Sequence, residues 1–288
     1  MRRFVDLHTH STASDGSVSP EDLPALADRK RLAAVALTDH DTTDGLAAAR
    51  ASARRYPNLR FVAGVEVSAR PPSGTLHILG LAIDEGAAAL AELVEYLRSA
   101  RSQRNPKIVA LCRQLGLKIS MDDVLAAAAD CGSPQEVISR VHIADALLRA
   151  GCVRTATEAF NRYLARGKPA YVERERLSPG DTIAAIRSAG GLAVLAHPVQ
   201  LKYGNLAQLE RIVRELIDHG LEGIEAYHSS HTDRQVRQYL DLAKRFGLAV
   251  TGGSDFHGPV KTGVFLGIPR VPMSVIEEQF AERLFGTG

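Results

Sequence analysis

No stretch of this sequence approaches the roughly 20 apolar residues that a membrane span requires, so a spanning helix is excluded. The N-terminal MRRFVDLHTH has no charged stretch followed by an apolar core and a small-residue cleavage site, so no signal peptide is expected. Charge of one sign is also lacking: 35 Lys and Arg stand against 33 Asp and Glu, a formal net charge of +2. That balance gives no broad field for a DNA duplex, RNA or a membrane surface, and any basic site must be local. Cysteine is scarce. Cys112, Cys131 and Cys152 are odd in number, widely spaced and without a CxxC pair, which argues against a disulfide framework or a zinc ribbon. They read as small apolar side chains in helices, in keeping with a reducing cytoplasm. Tryptophan, low-complexity segments and internal repeats are absent.

What is present is a chain of 288 residues, 45% of them hydrophobic, enough for one large α/β domain or one domain carrying an insert. Short β runs alternate with helical patterns over the first hundred residues. FVDLH (4–8), AAVALTD (33–39), RFVAGVEVSA (60–69) and TLHILGLAI (75–83) read as strands, the last two joined by a Pro-Pro-Ser-Gly turn. AAVALTD is continuously apolar, the mark of a strand buried on both faces. Helices are expected over 19–30, with Ser19 as N-cap and Pro20 at the first position, over 42–54, and over 87–102. The alternation resumes after Ser178 with strands GLAVLAH (191–197), EGIEAYH (222–228) and LAVTGGSD (248–255), separated by helical segments. Seven strands mostly followed by helices predict a parallel sheet, closed or nearly closed into a barrel.

Between these halves the pattern changes. From about Asn105 to Arg166 only helical periodicity is found, with Leu111, Leu115, Val124, Leu125, Val137, Ile138, Ile143, Leu147 and Leu148 as apolar faces. The expected organisation is therefore a barrel, 1–103 with 168–288, and a small helical insertion, 104–167, that caps the substrate. GKPAYV (167–172) is the re-entry segment.

The ten histidines are not scattered. His8 and His10 follow the first strand, His40 ends the second, His77 lies in the fourth, His197 ends the fifth, His228 ends the sixth and His257 follows the seventh. Asp6, Asp15, Asp39, Glu66, Glu225 and Asp255 share these positions. In a parallel β/α fold the C-terminal strand ends face one way, so these groups converge on one mouth. Neutral imidazoles with carboxylates are what first-row divalent metals bind. His8 and His10, two residues apart, share a face and can chelate one ion. A carboxylate such as Glu66 can serve two ions, one through each oxygen. With no cysteine nearby, the site is expected to be catalytic rather than structural. A single strand-end histidine is more simply a polar cap, but seven together are costly to bury for that purpose. His219, at a helix end before Gly220, and His231 read as ordinary polar positions.

At these residues the sequence resembles the PHP (polymerase and histidinol phosphatase) superfamily. The resemblance is carried by DLHTHSTASDG (6–16), LTDHDTTDG (37–45), GVEVS (64–68), LHILG (76–80), AHP (196–198) and GSDFHG (253–258), and it extends to SRVHIADAL (139–147) and RYLARGKPAYV (162–172). It is greatest to the stand-alone nucleoside 3′,5′-bisphosphate phosphatases and their relatives that trim short RNA from the 5′ end. It implies a distorted (β/α)₇ barrel holding two or three divalent ions, manganese first, with iron or zinc as alternatives. One ion would be held by His8, His10, Glu66 and Asp255, a second by Glu66, His77 and His197, and a third by Asp15, His40 and His257.

Closely spaced divalent ions suit phosphate-ester hydrolysis, because they acidify a water and neutralise charge on phosphoryl oxygens. His228 and Asp41 are candidates to assist the leaving oxygen. Selectivity must come from outside the metals: Ser139 and Arg140 in the insertion, and Lys168 in the re-entry segment, are candidates for a phosphate, with Arg140 expected at a helix start after a break at Gly132-Ser133-Pro134. The expected function is removal of the 3′-phosphate from a nucleoside 3′,5′-bisphosphate to leave the 5′-monophosphate. The alternative is a 5′→3′ exonuclease on short oligoribonucleotides, and the third reading is a non-catalytic metal-binding accessory module.

Overall fold

A computed structural model of the chain describes residues 3–130, 138–173 and 175–285. Cys131, the Gly132-Ser133-Pro134 break and Val137 lie outside the described residues. Internal contacts divide the chain into two units, Met1–Val94 with Leu177–Gly288, and Glu95–Arg176. The 104–167 insertion expected from sequence falls within the second.

The first unit is a mixed α/β, nearly closed barrel. Its strands are β1 (Phe4–Asp6), β2 (Ala34–Leu37), β3 (Arg60–Ala69), β4 (Leu76–Leu81), β5 (Leu192–Leu195), β6 (Gly223–His228), β7 (Ala249–Gly253) and β8 (Val271–Pro272), in the order β7-β6-β5-β4-β3-β2-β1-β8. All four residues of β2 and of β5 are buried, as continuous apolar runs require. Val5, Leu7, Ala34, Ala36, Leu79 and Val194 are among the side chains of the core.

Of the seven strands expected, one departs from the parallel arrangement. β4 runs antiparallel to both β3 and β5, with Glu66 opposite Leu79 and Ser68 opposite His77. The cause is local: the connection after Ala69 is a short turn, and a parallel crossover needs a dozen residues or more. An eighth strand also joins the seven expected. β8 pairs antiparallel with β1 at Phe4–Pro272 and Val5–Val271, and its two residues are too few to leave an alternation in sequence. Just beyond, Leu7 N donates to Gly252 O (3.1 Å) and Thr9 bridges Phe256 in parallel, so β7 meets the end of β1. That approach needs a glycine. A Cβ on Gly253 would stand 2.4 Å from the Cβ of His8.

Helices cover the outside. The first is Leu23–Arg29, shorter than expected, because Ser19 Oγ accepts from Asp22 N (3.2 Å) to form a separate preceding turn. The second, Leu46–Ala53, also begins later than expected. Helix Asp233–Phe246 opens on a Thr232–Gln235 capping box and stops at Gly247 in the left-handed region, φ 66°. Leu206–Asp218 is strongly amphipathic and buries Leu209, Ile212, Val213 and Leu216. His219 ends it as the C-cap.

The second unit holds no strand among its described residues. Helix Ala88–Gln114 does not end near residue 102 but continues through Pro106, losing at most one backbone bond there. Helices Met121–Asp130 and Arg140–Arg149 pack with it around Ile108, Cys112, Val124, Ile143, Leu147 and Leu164. Cys112 is buried, which pushes its thiol up to about 11; it and Cys152 are unpaired. No helix among the described residues is long and apolar enough to cross a membrane.

Candidate metal centre

Six of the strands, β1, β2, β3, β5, β6 and β7, run in one direction, and their C-terminal ends carry the histidines and carboxylates. His8 and His10 leave β1, His40 follows β2, Glu66 lies in β3, His197 follows β5, His228 ends β6, and Asp255 and His257 follow β7. The reversal of β4 matters here. His77 is its second residue, and only because β4 runs backwards does that end lie beside the C-terminal ends of its neighbours.

Glu66 is the centre of the cluster and fully buried. Its Oε2 is 3.2 Å from Nε2 of His8, 3.2 Å from Nε2 of His10 and 3.0 Å from Nδ1 of His40. Its Oε1 is 2.6 Å from Nδ1 of His77 and 2.8 Å from Nε2 of His197. Asp255 Oδ1 stands 3.6 and 3.3 Å from the same ring nitrogens of His8 and His10. Asp15 Oδ1 is 3.2 Å from His257 Nε2, and its Oδ2 is 3.9 Å from His40 Nε2. Ligand atoms of His8, His10, Glu66 and Asp255 all lie within 4.8 Å of one another, as do those of His10, Asp15, His40 and His257 and those of His40, Glu66 and His77. His40 thus stands between Glu66 and Asp15.

Four buried carboxylates hold the loops in place. Asp6 accepts from Ser254 N (2.8 Å), Ser254 Oγ (2.6 Å) and Gly267 N (2.7 Å), tying β1 to the segment after β7. Asp39 accepts from Ser11 N (2.8 Å), Ser11 Oγ (2.6 Å) and Ser14 Oγ (2.5 Å), which fastens the loop carrying Asp15. Glu225 accepts from His197 N (2.7 Å) and lies 3.0 Å from His8 Nδ1. Asp41 accepts from Ser68 N (3.0 Å). Asp41, His197 and Asp255 have φ values of 56°, 25° and 58°, a left-handed conformation that non-glycine residues keep only where the surroundings enforce it.

Burial opposes charge throughout the cluster, and proximity decides which groups keep it. On His8, burial is outweighed by Glu225, Glu66 and Asp255, which raise its pKa well above the ordinary imidazole value. On His40, burial is likewise outweighed by Glu66 and Asp15, which lift it to about 10. His197 goes the other way: burial drives it down to about 4. Burial raises Glu66, but the facing histidines overcome this and hold it well below the usual carboxylate range.

The donor set fits divalent ions on one observation in particular. Nε2 of His8, Nε2 of His10, Nδ1 of His40 and Oε2 of Glu66 are buried with no hydrogen-bond partner. Each such orphan costs on the order of 1–3 kcal/mol, yet here they point at one another across about 3 Å. A cation accepts lone pairs from nitrogen and carboxylate oxygen together, which removes that cost.

The PHP domain model matches residues 6–173, more than half of the chain. The chain belongs to the PHP domain family. Relatives agree along nearly its whole length. A 3′,5′-nucleoside bisphosphate phosphatase from Chromobacterium violaceum is 38% identical, over 91% of this chain and 90% of its own. A 5′-3′ exoribonuclease from Haemophilus influenzae is 32% identical, over 90% of this chain and 92% of its own. A solved structure from Bifidobacterium adolescentis, of a protein inferred to be a metal-dependent phosphoesterase, superposes with a TM-score of 0.83 at 31% identity, covering 97% of this chain and 96% of that one.

Within this PHP barrel the nine ligand candidates read from sequence, His8, His10, Asp15, His40, Glu66, His77, His197, Asp255 and His257, stand together. His228 stands with them, its Nε2 3.4 Å from Asp255 Oδ2. Sequence reasoning did not single out Lys261, whose Nζ donates to Asp255 Oδ2 at 2.6 Å. Its only signal was a lysine four residues beyond His257. Two of the candidates of the second unit, Ser139 and Arg140, make local side-chain contacts. Ser139 caps helix Arg140–Arg149, its Oγ accepting from Val141 N (3.2 Å), while His142 Nδ1 accepts from Ser139 N (3.1 Å). Arg140 Nη1 donates to Leu164 O (3.0 Å), and its guanidinium lies over the Tyr171 ring at 5.4 Å. Lys168 N donates to Ala165 O (3.0 Å), closing a turn.

Proposed function

We propose that this PHP protein is a cytoplasmic, manganese-dependent phosphatase. It hydrolyses the 3′-phosphate of nucleoside 3′,5′-bisphosphates to give the nucleoside 5′-monophosphate and phosphate. The observation that carries the reading is the set of buried, unpartnered ring nitrogens gathered on the unpartnered Oε2 of Glu66. Its specific form is supported by the relative that is 38% identical over 91% of the chain.

His8, His10, Glu66 and Asp255 would hold one ion, His77 and His197 with Glu66 a second, and Asp15, His40 and His257 a third. Bound there, divalent ions supply the charge that polarises a phosphoryl oxygen and acidifies a water. The remaining work falls to the chain itself. Ser230 N donates to His228 Nδ1 (3.0 Å), so the His228 proton resides on Nε2, which is buried and lacks a hydrogen-bond partner. That N–H would donate to the leaving ribose oxygen. Asp41 acts by orientation, because its carboxylate already takes the amide of Ser68 and fixes the backbone beside His40. Ser139, Arg140 and Lys168 are assigned to the second phosphate.

The test compares a nucleoside 3′,5′-bisphosphate, the matching mononucleotide and a short oligoribonucleotide with the manganese-loaded protein, before and after chelation. The bisphosphate should give the highest kcat/KM, and chelation should abolish all activity. The relative named as an exoribonuclease supports a second reading on the same residues; the oligoribonucleotide outcompeting the bisphosphate would put that reading first. Undiminished turnover in excess chelator, with no bound ion, would remove both.

A further inference from the structure

The two oxygens of Asp255 face different partners. Oδ1 looks toward Nε2 of His8 and His10, at 3.6 and 3.3 Å, the side on which an ion would be held. Oδ2 receives Lys261 Nζ at 2.6 Å and stands 3.4 Å from His228 Nε2. Lys261 is held there by its backbone. It follows the turn Gly258–Val260, its own N donating to Gly258 O (3.2 Å), and Ser17 Oγ accepts from Val260 N (3.3 Å). Ser17 in turn donates its N to His257 O (2.8 Å), so Lys261 is fixed relative to the loop that carries Asp15.

Exposure separates the pair. The Asp255 side chain is 6% exposed and that of Lys261 37%. The ammonium therefore stands at the rim of the cluster with solvent on its outer side. It has three N–H donors. One is committed to Asp255 Oδ2, and the Asp255 carbonyl at 3.4 Å takes another only weakly. The flanking His228 Nε2–H is a further donor, and it lacks a partner. With the His228 N–H directed to the leaving oxygen, the ammonium is the donor left to meet an anion beside a cluster suited to phosphate esters.

We propose that Lys261 is a substrate-binding residue, its ammonium resting on Asp255 Oδ2 and donating to a non-bridging oxygen of the scissile phosphoryl group. This rests on the phosphatase reading above. It adds the requirement that the contact be made to the reacting phosphate and to the phosphate released, whatever alcohol it was attached to. Lys261 would thus act on every monoester equally, unlike a residue that reads a second phosphate.

The experiment uses manganese-loaded protein, inorganic phosphate as the probe, and the variants Lys261→Met and Lys261→Arg. Metal per chain is measured together with the phosphate dissociation constant by calorimetry and the kinetics on a bisphosphate and an aryl phosphate. Lys261→Met should keep its metal, bind phosphate roughly 10- to 100-fold more weakly, and lose kcat/KM by a similar factor on both esters. Lys261→Arg should recover part of the phosphate affinity. Wild-type phosphate affinity in Lys261→Met overturns the proposal, and so does loss of metal in step with loss of affinity, which would make Lys261 a support for Asp255 alone. If phosphate binding depends on Lys261 but the wild type hydrolyses no monoester, the phosphatase reading fails and the anion contact stands.

Discussion

Glu225 Oε1 lies 3.0 Å from Nδ1 of His8, with both side chains fully buried. The carboxylate thereby keeps a proton on Nδ1, so that Nε2, which faces Glu66 and Asp255, is the nitrogen an ion would take. Its other oxygen takes the backbone N–H of His197 at 2.7 Å. Burial raises Glu225, but His8 and His228 more than offset this and hold it down to about 2, so it stays anionic. A glutamine has one acceptor oxygen where the carboxylate has two, so Glu225→Gln must leave either His8 or His197 without its partner. Losing such an orienting contact costs roughly 10- to 100-fold in metal affinity. Competition against a chelator of known affinity measures this, and an unchanged manganese dissociation constant would show that Glu225 does not orient His8.

Glu66 differs from Glu225 in that its oxygens serve two groups of histidines, Oε2 facing His8, His10 and His40 and Oε1 facing His77 and His197. Asp15 lies at the edge of the cluster, 3.2 Å from His257 and 3.9 Å from both His40 and His10, and its side chain is 28% exposed. Glu66→Gln should therefore release more metal than Asp15→Asn: most of the bound ions, against at most one. Metal analysis of the purified variants decides it. Equal loss in both would mean that no carboxylate bridges.

Proton release follows from the same contacts. In the metal-free protein His40 is raised to about 10, so at pH 8 it carries a proton on the cluster. An ion needs that lone pair, so binding must expel the proton. Manganese added to weakly buffered, metal-free protein at pH 8 should acidify the solution, and apparent affinity should climb as pH rises toward about 10. The sign for folding is opposite. A histidine raised from about 6.5 in the unfolded chain stabilises the metal-free protein fully below that pH, and this is lost as pH rises through about 10. Thermal melts of metal-free protein should drop over that window. No proton release on metal uptake would mean that His40 is neutral before the ion arrives.

Much of this site could be read from sequence because a β/α alternation turns distance along the chain into a shared mouth. The strand ends that carry histidines and carboxylates supplied the nine ligand candidates without any contact being known. What could not be read depends on tertiary choices that periodicity does not record. TLHILGLAI has the same apolar pattern whichever way the strand runs, so the reversal of β4, which brings His77 to the mouth, was hidden. β8 is two residues long. Pro106 marks a break in most helices, yet helix Ala88–Gln114 carries it. Lys261 looked like any solvated lysine, since its contact with Asp255 exists only because a short turn returns the chain by six residues. Glu225 and Asp6 could be seen as strand-end acids, but not as supports of His8 and Ser254.

The second phosphate gives the sharpest separation of structure from recognition. Arg140 donates to Leu164 O and lies over Tyr171, so its truncation removes a contact within its own helical unit as well as a cation. A loss of activity in Arg140→Ala therefore means little unless it depends on the substrate. A charge-assisted contact to phosphate is worth about 1.5–3 kcal/mol, roughly 10- to 150-fold in rate. Binding energy from a remote group raises kcat/KM only for substrates that carry the group. Arg140→Ala should thus lower kcat/KM for a nucleoside 3′,5′-bisphosphate by that factor and leave an aryl phosphate close to wild type, with metal content unchanged. Arg140→Lys keeps the charge without the planar fork and should fall between the two. Melting temperatures of all three proteins accompany the kinetics, because a purely structural Arg140 would lower stability and depress both substrates alike. That outcome would leave the second phosphate to Lys168 or to no group in the helical unit, and a matching substrate series on Lys168→Ala separates those two cases.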